Sequence, residues 1–128
     1  MPKVAIVGGS REVRLLIKGL LRLHHHVVVA EGPGFEALDS LAAESEPEVV
    51  VVDLEATDPA RLEAVKAARK ARPNARFVVL TAGSGTAVRE SARSVGANAI
   101  VHRPFAVRDL VEAVAPGSSK DSPSGRQA

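Results

Sequence analysis

The 128-residue chain contains no cysteine, no tryptophan and no tyrosine, and only three phenylalanines. The absence of cysteine excludes disulfide scaffolds, thiolate metal sites and cysteine nucleophiles. The formal net charge is +2, but no aromatic side chains alternate with the arginines and lysines, so single-stranded nucleic-acid binding has little support. The apolar runs are too short to span a bilayer and no signal-peptide pattern opens the chain. We therefore expect a cytoplasmic protein with neither a membrane nor a nucleic acid as its partner.

Short apolar runs alternate with amphipathic segments along most of the chain. The runs are rich in β-branched residues, as in strands that are buried on both faces, and they cover residues 4–7, 27–30, 49–52, 77–80 and 99–102. Helical patterns follow them in "SREVRLLIKGLLRL", "GFEALDSLAAES", "PARLEAVKAARKAR", "TAVRESARSVG" and "AVRDLVEAVA". This alternation predicts an α/β domain of the (βα)5 type, with an open parallel sheet and helices on both faces.

The length and the composition of the two ends predict one domain and a tail. Residues 1–116 are enough for a single core, whereas residues 117–128 are rich in Ser, Gly, Pro and charge and are expected to form a disordered tail or a linker. Within the first helix, apolar and small residues recur at helical spacing and indicate the face that packs on the sheet. These residues are Leu15, Leu16, Gly19 and Leu20.

In an open parallel sheet, ligands bind beyond the carboxyl ends of the strands, so the residues just after each strand are the site candidates. They are Gly8, Gly9 and Ser10; Glu31 and Gly32; Asp53; Thr81, Ala82 and Gly83; and Arg103, Pro104 and Phe105.

Three of these strand ends resemble the receiver domain of two-component response regulators. "EVVVVDLEA" is similar to the strand that carries the phosphoacceptor, "FVVLTAGSG" to the switch strand, and "SVGANAIVHRPF" to the Gly-Ala, strand, Lys-Pro-Phe signature. The resemblance implies a flavodoxin-like, doubly wound sheet in the order 2-1-3-4-5 and a signalling module that is not an enzyme. It also implies that Asp53 is the phosphoacceptor candidate, with Thr81, Ile100, Arg103 and Pro104 at the phosphate and switch positions.

The same resemblance exposes departures from the family pattern. Receivers carry two acidic residues after the first strand, which hold a divalent cation, but this chain has Gly8 and Gly9 there. Arg103 stands in place of the lysine, and a planar guanidinium is not equivalent to an ammonium. Ile100 replaces the aromatic switch residue. We therefore expect no metal and no cofactor, with at most weak Mg²⁺ binding if Asp53 is phosphorylated.

These departures favour an atypical receiver, or pseudo-receiver, that acts through protein-protein interaction and is independent of phosphorylation. We expect Asp53 and Arg103 to form a bidentate ion pair that fixes the site in one state; the alternative is that Asp53 caps the following loop and Arg103 is solvated. In the family, the face between Val88 and Ala115 is the usual docking or dimerisation surface. We expect the protein partner there, with His102, Arg103 and Phe105 at its upper edge, and a homodimer is compatible with this surface.

Two other functions remain open at this point. The first is an ordinary receiver that a histidine kinase phosphorylates on Asp53. The second is a small nucleotide-binding protein, because "VAIVGGSREV" followed by Glu31 is similar to a dinucleotide-binding turn. The simpler interpretation of that turn is that Gly8 and Gly9 only make a tight bend and that Ser10 caps the first helix.

Two further groups of charged residues each allow a structural and a functional interpretation. His24, His25 and His26 could hold zinc, but adjacent side chains entering a strand point to opposite faces, so a surface turn is favoured. The basic helix is interpreted as a solvated face, with a docking surface for an acidic partner as the alternative. Its residues are Lys66, Arg69, Lys70 and Arg72, with Arg76 just beyond.

Overall fold

The computed structural model describes residues 3–39, 45–54, 59–81, 86–102 and 106–115, without the side chains of 59, 61 and 86–89. Five parallel strands form one sheet in the order β2-β1-β3-β4-β5. The strands are β1 (Lys3–Val7), β2 (Val27–Gly32), β3 (Val49–Leu54), β4 (Arg76–Thr81) and β5 (Ala99–His102). The helices are α1 (Arg11–Leu23), α2 (Pro59–Ala71), α3 (Thr86–Ser94) and α4 (Val107–Val114). The predicted flavodoxin-like fold and its strand order are confirmed, and residues 117–128 lie outside the described part.

The sheet is buried on both faces because its strands are almost entirely apolar. All six residues of β3 are buried, Asp53 among them. Alternate side chains of the strands enter two separate core clusters, as expected for side chains that alternate across a sheet. One cluster includes Val65 and Ala68 of α2, and the other includes Ile17 of α1 and Leu110 of α4. The helices therefore cover opposite faces and leave the carboxyl edge of the sheet accessible for a site.

Helix α1 begins where the sequence indicates but packs through a different row of residues. The Ser10 hydroxyl caps the helix by accepting a hydrogen bond from the Val13 amide at 3.1 Å, as predicted. The buried row is Arg14, Ile17 and Leu21. The predicted packing face was wrong at Leu15 and Leu16, which are exposed, whereas Leu20 is partly buried against the core. Apolar residues occur all around this helix, so its periodicity did not single out the face that the sheet covers.

The segment after β2 is predicted to be helical, and its described part forms a short 3₁₀ turn at Phe35–Leu38. Residues 40–44 of the predicted helix lie outside the described residues. Within the parts of the chain that the structure describes, no helix is both long and apolar enough to cross a bilayer.

The arginines near the end of α2 do not form the solvated face that the sequence indicates. Arg69 donates to the carbonyl oxygens of Gly96, Arg72 and Pro73 at 3.1 to 3.2 Å. Arg72 pairs with Glu46, with 3.2 Å between Nε and Oε1. The guanidinium of Arg76 likewise donates from Nε to the carbonyl of Ala113 at 2.8 Å. These arginines join the ends of separate elements, whereas Lys66 and Lys70 are exposed.

Candidate functional site

Four of the predicted site residues meet at the carboxyl edge of the sheet. Gly8 and Gly9 follow β1, Asp53 is the penultimate residue of β3, and Thr81 ends β4. Parallel strands place their carboxyl ends on the same edge, so residues far apart in the chain come together. Arg103 and Pro104 lie outside the described residues, as does Phe105. The ion pair between Asp53 and Arg103 therefore stays a prediction.

The Gly8-Gly9 turn requires glycine for its backbone conformation. Gly8 has φ of 90° and Gly9 has φ of 75°, a region that side chains with a Cβ rarely adopt. The Gly8 amide donates to the carbonyl of Gly32 at 2.9 Å and so ties the turn to the end of β2. The simpler interpretation of the sequence, a tight bend followed by a Ser10 cap, is therefore confirmed.

Asp53 packs directly against Gly9. Its side chain is 1% exposed, and it fills the place where a side chain at position 9 would begin. A Cβ added to Gly9 would lie 2.9 Å from the Asp53 carboxyl carbon and 3.1 Å from its Cβ. These separations are shorter than van der Waals contact, so one of the two side chains must move if both are present. The absence of a side chain at position 9 thus permits the observed position of Asp53.

Arg14 of α1 holds the turn from beneath. Its Nη1 donates to the Gly9 carbonyl at 2.7 Å and, more weakly, to the Gly8 carbonyl at 3.5 Å. Its Nε donates to Glu31 Oε1 at 2.7 Å, which makes an ion pair between α1 and the end of β2. The side chain of Arg14 is 10% exposed and that of Glu31 is 28% exposed. The guanidinium thus satisfies both glycine carbonyls and the Glu31 carboxylate.

The described residues of the turn after β1 are poorly suited to a divalent cation. A hard cation requires several oxygen ligands, but Gly8 and Gly9 supply no carboxylate and their carbonyls accept from a positively charged guanidinium. Glu31 is paired with the same guanidinium. Among the described residues, no group of three or more His, Asp or Glu side chains is placed to hold a metal ion.

Thr81 forms a buried hydrogen bond that the sequence analysis missed. Its hydroxyl lies 3.0 Å from Nδ1 of His102, the residue opposite it on β5. His102 is 4% exposed, so its predicted position at the edge of a docking surface was wrong. A histidine that ends an apolar strand looks exposed in a sequence, but here the neighbouring strand supplies a hydroxyl partner. Ile100 is buried two residues earlier in the same strand.

The three consecutive histidines follow the C-terminus of α1. His24 and His25 are exposed, and His25 has φ of 69°, as in a tight turn. His26 is partly buried, and burial together with the nearby His24 lowers the pKa of its imidazole below the ordinary value. Its Nδ1 has no hydrogen-bond partner within the described part of the chain. The favoured interpretation, a surface turn, agrees with this geometry.

Comparison with known proteins connects this geometry to one family. The profile of the response regulator receiver domain matches residues 4–115. The transcriptional regulatory protein PdtaR of Mycobacterium tuberculosis is 32% identical over 115 residues, which cover 88% of this chain and 54% of that protein. The chemotaxis protein CheY of Thermotoga maritima is 27% identical over 88% of this chain and 93% of its own length.

A solved structure agrees with the observed architecture. The isolated REC domain of RcsB from Salmonella enterica serovar Typhimurium, in the presence of phosphomimetic BeF3⁻, superposes with a TM-score of 0.81 at 21% identity. The match covers 98% of this chain and 96% of that one. At this identity the likeness concerns the fold alone. The chain spans about half the length of PdtaR, at 54%.

Proposed function

The chain belongs to the response regulator receiver domain family, and from that premise we propose that it is a pseudo-receiver, which signals through protein contacts without a phosphoryl group on Asp53. Its membership places it in two-component signalling, where receiver domains are signalling modules. The proposal concerns the finer question of how its own site operates.

The packing of Asp53 against Gly9 is the observation that carries this proposal. In an active receiver, the phosphoacceptor needs a neighbouring cation to neutralise the incoming phosphoryl group, because phosphoryl transfer depends on positioning and charge neutralisation. Here the Asp53 carboxylate occupies the place of the second acidic side chain. The residues that would hold the cation are glycines, and the Asp53 side chain itself takes up part of that space.

Arg14 supports the same proposal from the other side of the turn. A cation bound at the strand ends would order the loop after β1. In this chain the guanidinium of Arg14 orders it instead, through the carbonyls of Gly8 and Gly9. The loop therefore has a fixed geometry without a metal ion. We propose that the domain has no cofactor, with at most weak Mg²⁺ affinity, and that it does not catalyse its own phosphorylation.

A protein is the partner that we propose, either a histidine kinase or a downstream component. The face between Val88 and Ala115 remains the proposed docking surface from the resemblance. Among its described side chains, the large exposed hydrophobic residue is Val107, at 40% exposure. We propose a cytoplasmic location, where two-component partners are found.

Incubation with acetyl phosphate and Mg²⁺, followed by intact mass measurement, tests the proposal. We expect the wild-type chain to acquire no stoichiometric adduct. The double variant Gly8→Asp/Gly9→Asp is the matched comparison, because it restores the two carboxylates and changes no other residue, although the Asp53 side chain must move to admit the one at position 9. Circular dichroism checks that the variant is folded. A stoichiometric adduct on the wild-type chain that is absent from Asp53→Asn would overturn the proposal.

The retention of Asp53 and Thr81 at the strand ends favours a second candidate, an ordinary phosphoacceptor receiver. An ordinary receiver should acquire the phosphoryl adduct on Asp53, and a pseudo-receiver should not, so the same mass measurement separates the two candidates. A nucleotide-binding function receives no comparable support, because Glu31, which would meet a ribose, is engaged by Arg14.

A further inference from the structure

The solvent-facing side of α1 carries an unusual number of apolar residues. Leu15 is 46% exposed, Leu16 57% and Leu23 74%, whereas Ile17 and Leu21 on the opposite side are fully buried. Leu15, Gly19 and Leu23 follow at intervals of four residues and form one row along the helix. A surface helix normally places polar residues here. Contiguous exposed leucines of this kind mark an interaction surface.

Gly19 lies in the middle of this row, and no described part of its own chain packs against the place where a side chain would begin. A Cβ added to it would meet nothing within 4 Å. Glycine in the middle of a helix destabilises it relative to alanine, because it has more conformational freedom to lose on folding. The fold therefore gains nothing from Gly19. The missing side chain leaves a gap between Leu15 and Leu23, and a side chain of a second molecule can fill that gap.

We propose that the exposed face of α1 around Leu15 and Gly19 is a dimer interface, in which α1 of two copies of this chain pack antiparallel about a two-fold axis. The interface uses the exposed side of α1, whereas Arg14, which contacts the turn beside Asp53, is in the buried row, so the interface does not depend on how that site operates. In a two-fold interface the same surface is used twice and must be complementary to itself. Both the shape and the charge of this helix meet that requirement.

The complementarity of shape comes from the leucines and the glycine. An antiparallel pairing whose axis passes the exposed side of the helix at the height of Ile17 places Leu15 of each copy opposite Gly19 of the other. The Leu15 side chain then fills the gap that Gly19 leaves, and the axis repeats this contact.

The complementarity of charge follows from the same pairing. Glu12 then lies opposite Arg22 of the second copy, because both are five residues from the axis. Both side chains are exposed, and within the described residues neither takes part in an ion pair. Pairing of opposite charges at the rim sets the orientation and register of an interface. Glu12 is in the first turn of α1 and Arg22 in the last, which favours the antiparallel arrangement over the parallel one.

The C-terminal tail cannot cover these leucines, and the area of the helix limits how stable the dimer can be. Residues 116–128, "PGSSKDSPSGRQA", contain no large apolar side chain that could cover the leucines. Helix α1 has 13 residues and is about 20 Å long, so a contact limited to this helix is at the small end of protein interfaces. We therefore expect a weak dimer with a dissociation constant in the micromolar range, which forms as the concentration rises.

Sedimentation velocity from low-micromolar to near-millimolar concentration tests the interface. We expect the wild-type chain to pass from monomer to dimer, and Leu15→Glu to stay monomeric. The matched control is Val27→Glu, which places the same charge at a residue of similar exposure on β2. That variant should dimerise like the wild type. Circular dichroism confirms that each variant is folded.

Two further variants separate this interface from any other apolar contact. Gly19→Ala should raise the melting temperature of the monomer by a few degrees, because alanine has the higher helix propensity. It should also weaken the dimer about tenfold, because its methyl group fills the space that Leu15 of the second copy would occupy. Glu12→Arg and Arg22→Glu should each weaken the dimer about three- to tenfold. Each change replaces the ion pair by a pair of like charges, and the two-fold axis repeats that repulsion on the other side of the interface. The double variant should restore wild-type dimerisation.

Several results would overturn the proposal. They are a wild-type chain that stays monomeric at the highest concentration, a dimer that Leu15→Glu leaves intact, and charge reversals whose effects add in the double variant. A monomeric chain that binds only a helical protein of different sequence through these leucines would assign the surface to that partner instead.

Discussion

Removal of the Arg14 guanidinium is expected to destabilise the domain and loosen the turn after β1. Arg14→Met keeps the length and apolar packing of the side chain but removes its donors. A hydrogen bond to a charged group contributes about 1.5–3 kcal/mol, and the strong bond to Gly9 is of this kind. The pair with Glu31 adds about 1 kcal/mol, because the Glu31 side chain is 28% exposed and partly screened. We expect a loss of about 2.5–4 kcal/mol in the free energy of unfolding.

Urea unfolding, followed by circular dichroism, measures this loss directly. For a domain of about 110 residues, 1 kcal/mol corresponds to about 4 °C, so the melting temperature should fall by about 10–16 °C. Glu31→Gln should cost less, and the double variant should cost about 1 kcal/mol less than the sum of the single changes, because the partners are coupled. If Arg14→Met lost under about 0.5 kcal/mol, it would behave as an ordinary surface substitution and the reasoning would be refuted.

Three other predictions concern the site and the turn after α1. Gly9→Ala should cost about 1–3 kcal/mol, through its positive φ and its overlap with Asp53, and part of that cost should vanish in an Asp53→Ala background. Urea unfolding of the four proteins checks this, and an equal cost in both backgrounds would contradict it. Thr81→Val should cost about 1–3 kcal/mol by removing the bond to His102, and additivity with His102→Leu in a double-mutant cycle would argue against that contact. Because the native pKa of His26 lies below its ordinary value of 6.5, the unfolded chain binds the proton more readily, and stability should fall as the pH drops through 6.5. His26→Gln should lessen this fall when urea midpoints at about pH 7.5 and about pH 5.5 are compared, and an unchanged dependence would assign it to other groups.

The strands could be predicted because each is a short apolar run, but β2, β3 and β4 extend beyond the predicted ends. β3 was expected to end at Val52, yet its ladder continues through Asp53 and Leu54, which pair with Leu80 and Thr81 of β4. A polar side chain ends an apolar pattern without interrupting the backbone hydrogen bonds. The exposed side of α1 was also missed, because leucines occupy both its inner and outer rows. Only the position of the sheet decides which row is buried.

Strand ends predicted the positions of Gly8, Gly9, Asp53 and Thr81, because parallel strands finish at one edge. The contacts of Arg14 were not predicted. A signal was present, since Arg14 lies three residues before Ile17 and seven before Leu21, on the row that is buried. An arginine in such a row requires a carbonyl or carboxylate partner. The sequence could not identify that partner, because it lies on another element.

The contacts of Arg69 affect how the ends of α2 and α3 unfold locally in the native protein. Its guanidinium donates to carbonyls beyond α2, at Arg72 and Pro73, and to the carbonyl of Gly96 in the turn after α3. The same group lies 5.5 Å from the centre of the Phe77 ring in the core. One side chain thus connects the ends of two helices, and a fluctuation that frees either end must break bonds shared by both. Their backbone amides should therefore exchange with solvent deuterium as one cooperative unit.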